Sequence, residues 1–413
     1  MATMKKIEKL ALARDLLCEI LSGNLRVVGN EAGSPAFIED TRRTLHVGLY
    51  ASAGLLEILG RENNHGADFY ELFVNTFRSR IGLKGNVQDT KVIRDANNLF
   101  KLCAVLLALK NVALDKKSEK FIRFQNYAID TILSLMSPIG YWEYSKFAEN
   151  PSGSEYVLPT SLALIALYGA PVDSDVLIKP RKYLENWLRR ILEGQPNVAA
   201  TLVPEIAVCA YALELTNAIS TTRFTSHHRS HIGFLLYKSF ISDQSFREHT
   251  VRVFSVVNNE YHSSTYTFLI DFFVTAYFIL TRSIYLKSSL LNRKLLSLAD
   301  SIINNNGRFV SSIDGQSFTK TNVVAFQLFE LILENISLFG NSTILSLYLE
   351  TRKKPIYSDS KRRARYVVGI LVVISISLFY FIVIASNVTQ KWEFIACATG
   401  GIISTLLYQW ISE

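Results

Sequence analysis

The chain has 413 residues, 49% of them hydrophobic and 19% charged, and a formal net charge of +8; this balance suits globular domains and excludes a disordered polyelectrolyte. The charge is concentrated, because residues 351–365 (TRKKPIYSDSKRRAR) hold seven Lys/Arg against one Asp, or +6. The rest is close to neutral, so the large N-terminal part is not a broadly basic nucleic-acid surface, and any polyanion site there is a local patch.

The N-terminal segment MATMKKIEKLALARDLLCEI mixes acidic, basic and apolar residues. It predicts an amphipathic helix from Lys5 to Leu21 and not a secretory signal. A pattern then repeats. Six apolar cores follow one another at spacings of 51, 57, 47, 63 and 54 residues: GLLEIL from Gly54, VLLALK from Val105, LALIAL from Leu162, CAYALE from Cys209, FFVTAY from Phe272 and FQLFEL from Phe326. Between them lie more polar helical stretches: FYELFVNTFRSRI, SEKFIRFQNYAIDTILSLM, PRKYLENWLRRILEG, HHRSHIGFLLYKSFI and LLNRKLLSLADSIIN. A unit of this period buries its apolar face only by stacking on its neighbours. The polar set suits an outer layer around the apolar one. The expectation is an all-α fold, a six-hairpin α/α toroid, with an open α-solenoid as the alternative.

The third unit, GYWEYSKFAENPSGSEYVLPTSLALIALYG, opens on a Gly-aromatic turn, crosses a polar loop and enters a small, apolar helix. GRFVSSIDGQSFTKTNVVAFQLFELIL, from Gly307, is a weaker copy. These units resemble the repeats of the squalene/terpene cyclases and protein prenyltransferases, and the resemblance implies a toroid over about residues 5–340. It does not bring the chemistry. No DxDD run is present to protonate an alkene, no DDxxD run to hold magnesium on a diphosphate, and Cys209 lacks the Asp two residues earlier that the zinc site requires. No enzyme activity, metal or cofactor is expected. Asp173-Ser174-Asp175 reads as a loop before an outer helix. Glu143, Glu155, Glu205 and Asp271 are the carboxylates that a glycoside-cleaving pair would use, but nothing in the sequence sets two of them face to face. His227 and His231 are four residues apart without HExxH or a third ligand, which reads as a solvated helix end. Cys18, Cys103, Cys209 and Cys397 are far apart in apolar surroundings and read as buried thiols.

Basic and aromatic residues gather just ahead of the apolar cores. Arg42, Arg43 and His46 precede the first, Lys91 and Arg94 the second, and Tyr144 and Lys146, with Tyr141 and Trp142, the third. Arg247 and Arg252, with His249, Tyr261 and His262, precede the fifth. A closed ring would bring these groups to one mouth, where arginines grip phosphates and aromatic rings stack on bases. The expected ligand is a nucleotide or a short single-stranded oligonucleotide.

At the C-terminus, Tyr366 to Ser386 is a run of 21 residues without a charge, long enough to cross a bilayer. Phe394 to Trp410 supplies a second run, with Ala396, Ala398, Gly400 and Gly401 small enough for close helix approach. Lys361, Arg362, Arg363 and Arg365 form a lipid-facing basic cluster that keeps residues 1–365 cytoplasmic. Ser375, Ser377, Thr399, Gly400, Gly401 and Ser404 are the pore candidates. The expected domains are a cytoplasmic toroid at 1–345, a basic linker at 346–365 and a transmembrane hairpin at 366–411. This layout resembles that of membrane effectors of bacterial anti-phage systems of the Hailong type. It implies a ligand-gated oligomeric channel, or a membrane-disrupting effector, of antiviral defence. Such a protein would sit in a bacterial inner membrane with both termini cytoplasmic. Its partners would be copies of itself, the bilayer, its ligand and a signal-producing enzyme. A membrane-tethered isoprenoid- or glycan-processing enzyme and a membrane scaffold are the alternative readings.

Overall fold

A computed structural model of the chain describes residues 2–36, 38, 48–62, 65–81, 97–142, 156–194, 201–219, 226–242, 247–257, 260–310 and 317–339. The described part is mostly helical. Its helices are α1 (Ala2–Gly23), α2 (Leu49–Glu62), α3 (Ala67–Ile81), α4 (Asn97–Lys110), α5 (Glu119–Ser134) and α6 (Val157–Leu167), then α7 (Ser174–Glu193), α8 (Val203–Leu215), α9 (Ser226–Ser242), α10 (Ile270–Leu280), α11 (Ser289–Asn304) and α12 (Thr319–Glu334). A short hairpin, β1 (Arg26–Val28) with β2 (Glu31–Gly33), follows α1. A long one, β3 (Glu248–Val257) with β4 (Glu260–Leu269), precedes α10.

The even-numbered helices carry the six apolar cores. All residues of α6 are buried, as expected of a helix that is hydrophobic all round. The odd-numbered helices are amphipathic. In α7, Leu177, Leu184, Trp187, Leu188 and Leu192 are buried, while Lys179, Lys182, Asn186 and Arg190 are exposed. This helix starts six residues earlier than the PRKYLENW stretch suggests. The Asp173 carboxylate caps its first turn by accepting from the Asp175 N–H at 3.0 Å, and Pro180 is carried inside the helix.

The even helices touch in sequence: α2 packs on α4, α4 on α6, α6 on α8, α8 on α10, α10 on α12, and α12 on α2. Outside them, α1 packs on both α11 and α12, so the first helix of the chain joins its last pair. Gly54 lies against Val323, and Arg61 pairs with Glu330 at 2.7 Å, seven residues further on in both helices. Helices α2 and α12 therefore run parallel and in register. Gly60 abuts Val112, just beyond α4, and the Lys110 ammonium donates to the carbonyls of Ile165 and Tyr168 at the end of α6, at 3.2 and 2.6 Å. The C-terminal ends of α2, α4, α6 and α12 thus share one end of the domain.

The glycine turns that open the third and sixth units have one geometry. Gly140 has φ +101° and Gly307 φ +80°, a region that side chains avoid. Gly140 presses on α7, where an added Cβ would stand 2.8 Å from the Lys179 carbonyl carbon. Gly307 presses on α1, where the same atom would stand 2.9 Å from the Leu16 carbonyl oxygen. In each case the turn leaving one outer helix lies on the next. Two residues later comes a buried aromatic, Trp142 or Phe309, whose main-chain N–H donates to the fourth residue of the following helix. These bonds are to Thr160 Oγ1 at 3.0 Å and Asn322 Oδ1 at 2.7 Å. The first unit does the same without the aromatic, Ser34 N–H donating to Ser52 Oγ at 3.0 Å. The loop before each of these three helices is held by a polar side chain in the helix's own first turn. A lost bond there would leave a buried N–H without a partner.

Two expectations are corrected. The segment before the fifth apolar core, expected to belong to an all-α fold, is a β-hairpin. HTVRVFSVV and EYHSSTYTF alternate branched, aromatic and polar residues, a strand pattern, and they pair antiparallel from Glu248↔Leu269 to Val257↔Glu260. The membrane location is withdrawn as well. Among the described residues no helix is long and apolar enough to cross a membrane. The expected spans at 366–386 and 394–410, with the cluster Lys361, Arg362, Arg363 and Arg365 and the pore candidates Ser375, Ser377, Thr399, Gly400, Gly401 and Ser404, lie outside the described residues. The chain divides into two units, Met1–Thr343 and Ile344–Glu413.

Candidate functional site

Most of the ligand candidates named from the sequence fall outside the described residues: Arg42, Arg43, His46, Lys91, Arg94, Tyr144 and Lys146. Arg252 lies on β3, with only its backbone described. Arg247 is placed, and it is committed elsewhere. Its main-chain N–H, Nε and Nη2 donate to the Asp271 carboxylate at 2.9, 3.4 and 3.1 Å, and its Nη1 donates to Ser239. Lys294 reaches the same carboxylate at 3.4 Å, donates to the Phe240 carbonyl at 2.7 Å and stands 4.1 Å above that ring. Asp271 is fully buried. One carboxylate between two cations is a structural clamp at the root of the β3–β4 hairpin. Glu205 lies in the first turn of α8, its carboxyl pushed up by burial, and Glu143 and Glu155 lie outside the described residues.

Trp142 is also structural: it is fully buried, and its indole N–H donates to the Ile132 carbonyl at 2.7 Å. Its neighbour Tyr141 is different. The Tyr141 ring lies 4.6 Å from that of Tyr156 and 5.4 Å from that of Tyr183 on α7. Tyr183 stands at the edge of a groove of about 810 Å³, open to solvent, on the outer face of α7. The groove is lined by Ile139, Lys179, Lys182, Tyr183, Asn186, Arg189, Arg190 and Glu193.

The amphipathic period of α7 builds this groove. Positions 179, 182, 183, 186, 190 and 193 fall on one stripe opposite the buried leucines. The turn held against α7 by Gly140 supplies the wall, with Ile139 70% exposed at its crest. Four cations stand against one carboxylate, a formal excess of three. Burial pushes the Tyr183 phenol up to about 12, against the pull of Arg190, so it stays a neutral donor through the physiological range. Such a surface offers charge-assisted donors to an anion and an apolar, aromatic edge to whatever the anion is attached to. Sequence reasoning missed it because the charges are spread along a helix at i, i+3, i+10 and i+11, in a stretch that reads as an ordinary wet face. The one available signal was Tyr141.

Among the described residues no group of three His, Cys, Asp or Glu side chains is placed to hold a metal ion. His228 stands 4.0 Å from Glu193, and its ring is 6.1 Å from that of His227. Among the described residues Cys18, Cys103 and Cys209 form no disulfide, and burial pushes the latter two up, away from reactivity.

No family model matches the chain, and neither a curated protein nor a solved structure matches it. The resemblances to the cyclase and prenyltransferase repeats and to the anti-phage effectors are accordingly withdrawn. The Gly-aromatic turn that suggested the first is a local device for seating one outer helix on the next. The second rested on a membrane hairpin that no described helix supplies.

Proposed function

We propose that the N-terminal unit is a six-hairpin α/α toroid that binds a nucleotide or a short single-stranded oligonucleotide in the basic groove of α7. The groove carries the reading, with its excess of cations beside the Tyr141–Tyr156–Tyr183 cluster. Lys179 and Arg190 are eleven residues apart on one helix, about 16 Å at 1.5 Å per residue. The cations make a track, which favours a chain of phosphates over a single one. The order of helix contacts, returning from α12 to α2, supports the toroid. The channel, the antiviral role, self-assembly and the signal-producing partner have no described residue to carry them and do not form part of the proposal.

The test is fluorescence anisotropy of a labelled ten-nucleotide oligo-dT, with ATP as competitor, against the full-length protein. The double variant Lys182→Glu/Arg190→Glu changes two exposed side chains and leaves the fold intact. It is expected to weaken binding by about tenfold or more. An affinity that does not change with this pair, or no binding by the wild type, would overturn the reading.

A further inference from the structure

We infer that the interior of the cycle of even-numbered helices holds a second binding site, built from Glu57, Tyr211 and Lys320, for a small molecule that carries both an anionic group and a hydrogen-bond donor. The inference does not rest on the α7 groove. Helices α2 and α12 face each other through Gly54 on Val323 and Arg61 on Glu330. Glu57 lies on the Gly54–Arg61 stripe, and Lys320 lies on the Val323–Glu330 stripe, so both line the same seam. Helix α8 stands three places from α2 in the cycle, opposite it. Its Tyr211 nevertheless lies within electrostatic reach of Glu57 and Arg61 on the opposed helix.

These groups are polar and half-buried, and the Glu57 charge acts on both Lys320 and Lys110 without a direct ion pair among the described residues. Other sequestered charges of the domain are paired: Arg181 with Glu185 at 3.0 Å, and Asp271 with Arg247 and Lys294. Among the described residues neither Glu57 nor Lys320 makes a hydrogen bond or ion pair, and the Tyr211 hydroxyl makes no hydrogen bond. Burial holds the Lys320 amine below the ordinary lysine value, with Glu57 opposing, and pushes Tyr211 up to about 12. Polar groups half-buried without a direct hydrogen bond cost stability, and three of them from three helices make a candidate binding surface. Lys320 offers a cation to an acidic group, Glu57 accepts from an amine or hydroxyl, and Tyr211 supplies a donor. The Tyr211 ring, 6.2 Å from Phe272 and 5.6 Å from Phe273, forms an aromatic wall. The β3–β4 hairpin crosses over this space: it is rooted at α10, β4 packs on α12, and β3 reaches α4, the helix opposite α10.

Pyridoxal 5′-phosphate is a suitable probe, because it has an aromatic ring, a phosphate, a phenolic hydroxyl and an aldehyde. The Lys320 amine adds to the aldehyde and expels water to give an imine, and added borohydride reduces the C=N bond to a stable secondary amine. Full-length protein is labelled at increasing probe concentration and the modified lysines are mapped by mass spectrometry. Labelling at Lys320 is expected to saturate, while exposed Lys238 and Lys287 react in simple proportion to concentration. Tyr211→Phe and Glu57→Gln should each raise the half-saturating concentration about fivefold, as for one lost hydrogen bond, with unchanged thermal unfolding showing that the fold persists. Lys182→Glu/Arg190→Glu should leave it unchanged, which separates this site from the groove. Labelling of Lys320 without saturation, or half-saturation that ignores Tyr211 and Glu57 or follows the groove variant, would overturn the inference.

Discussion

Gly140 and Gly307 each combine a positive φ with an approach to neighbouring backbone under 3 Å from an added Cβ. Alanine there must pay for a left-handed backbone and for displacing the adjacent outer helix. Gly140→Ala and Gly307→Ala are expected to cost about 1–3 kcal/mol each. Gly29→Ala shares the positive φ but meets nothing within 4 Å and should cost less; urea unfolding of the three variants checks the order. A second residue-scale effect belongs to Lys110, whose amine burial brings down from 10.5 to about 8. Between those values the unfolded chain holds a proton that the folded chain has released. Stability should therefore rise as pH climbs from 8 towards 10, by up to about 1.4 kcal/mol per pH unit from this group. Lys110→Met should flatten that slope. A slope equal in both proteins would show that Lys110 keeps an ordinary value.

At the scale of an element, the β3–β4 hairpin is the instructive case. A two-stranded ribbon is marginal alone, and this one is held at its root by Asp271. Asp271→Asn removes the charge shared by Arg247 and Lys294 and leaves both cations uncompensated beside a neutral amide. The expected cost is about 3–5 kcal/mol. Amide hydrogen exchange should localise part of that loss, with β3 and β4 losing protection before α6 and α8 do. Uniform loss across the domain would show that Asp271 supports the whole core and not the hairpin in particular. Much of the rest was readable from sequence: the six apolar cores fall in α2, α4, α6, α8, α10 and α12 because helices buried on most sides are apolar on most sides. The hairpin was not, because TVRVFSVV was read for its Arg and not for its period of two. The start of α7 was misplaced because Pro180 suggests a first turn, whereas the Asp173 cap sets the boundary.

At the scale of the N-terminal unit, the repeat links the two ends of the described helices. Gly140 seats the turn after α5 on α7, and Gly307 seats the turn after α11 on α1, so the chain treats its first helix as the successor of its last. The functional reading was less legible. Arg247, singled out for its charge, is spent on Asp271, and Trp142 is a core residue. The cations that gather in one groove are spread from Lys179 to Arg190, and the turn of the helix brings them to one face. The groove is open, so a ligand there would be held mainly by charge, and charge-driven binding depends on salt. The most direct measurement is the affinity of full-length protein for a ten-nucleotide oligo-dT across a salt series. With about four cations engaged, log K should fall against log salt with a slope of about −3, and Lys182→Glu/Arg190→Glu should bring the slope towards zero. A flat wild-type slope, or a steep one that the double variant leaves intact, would contradict the groove as the site.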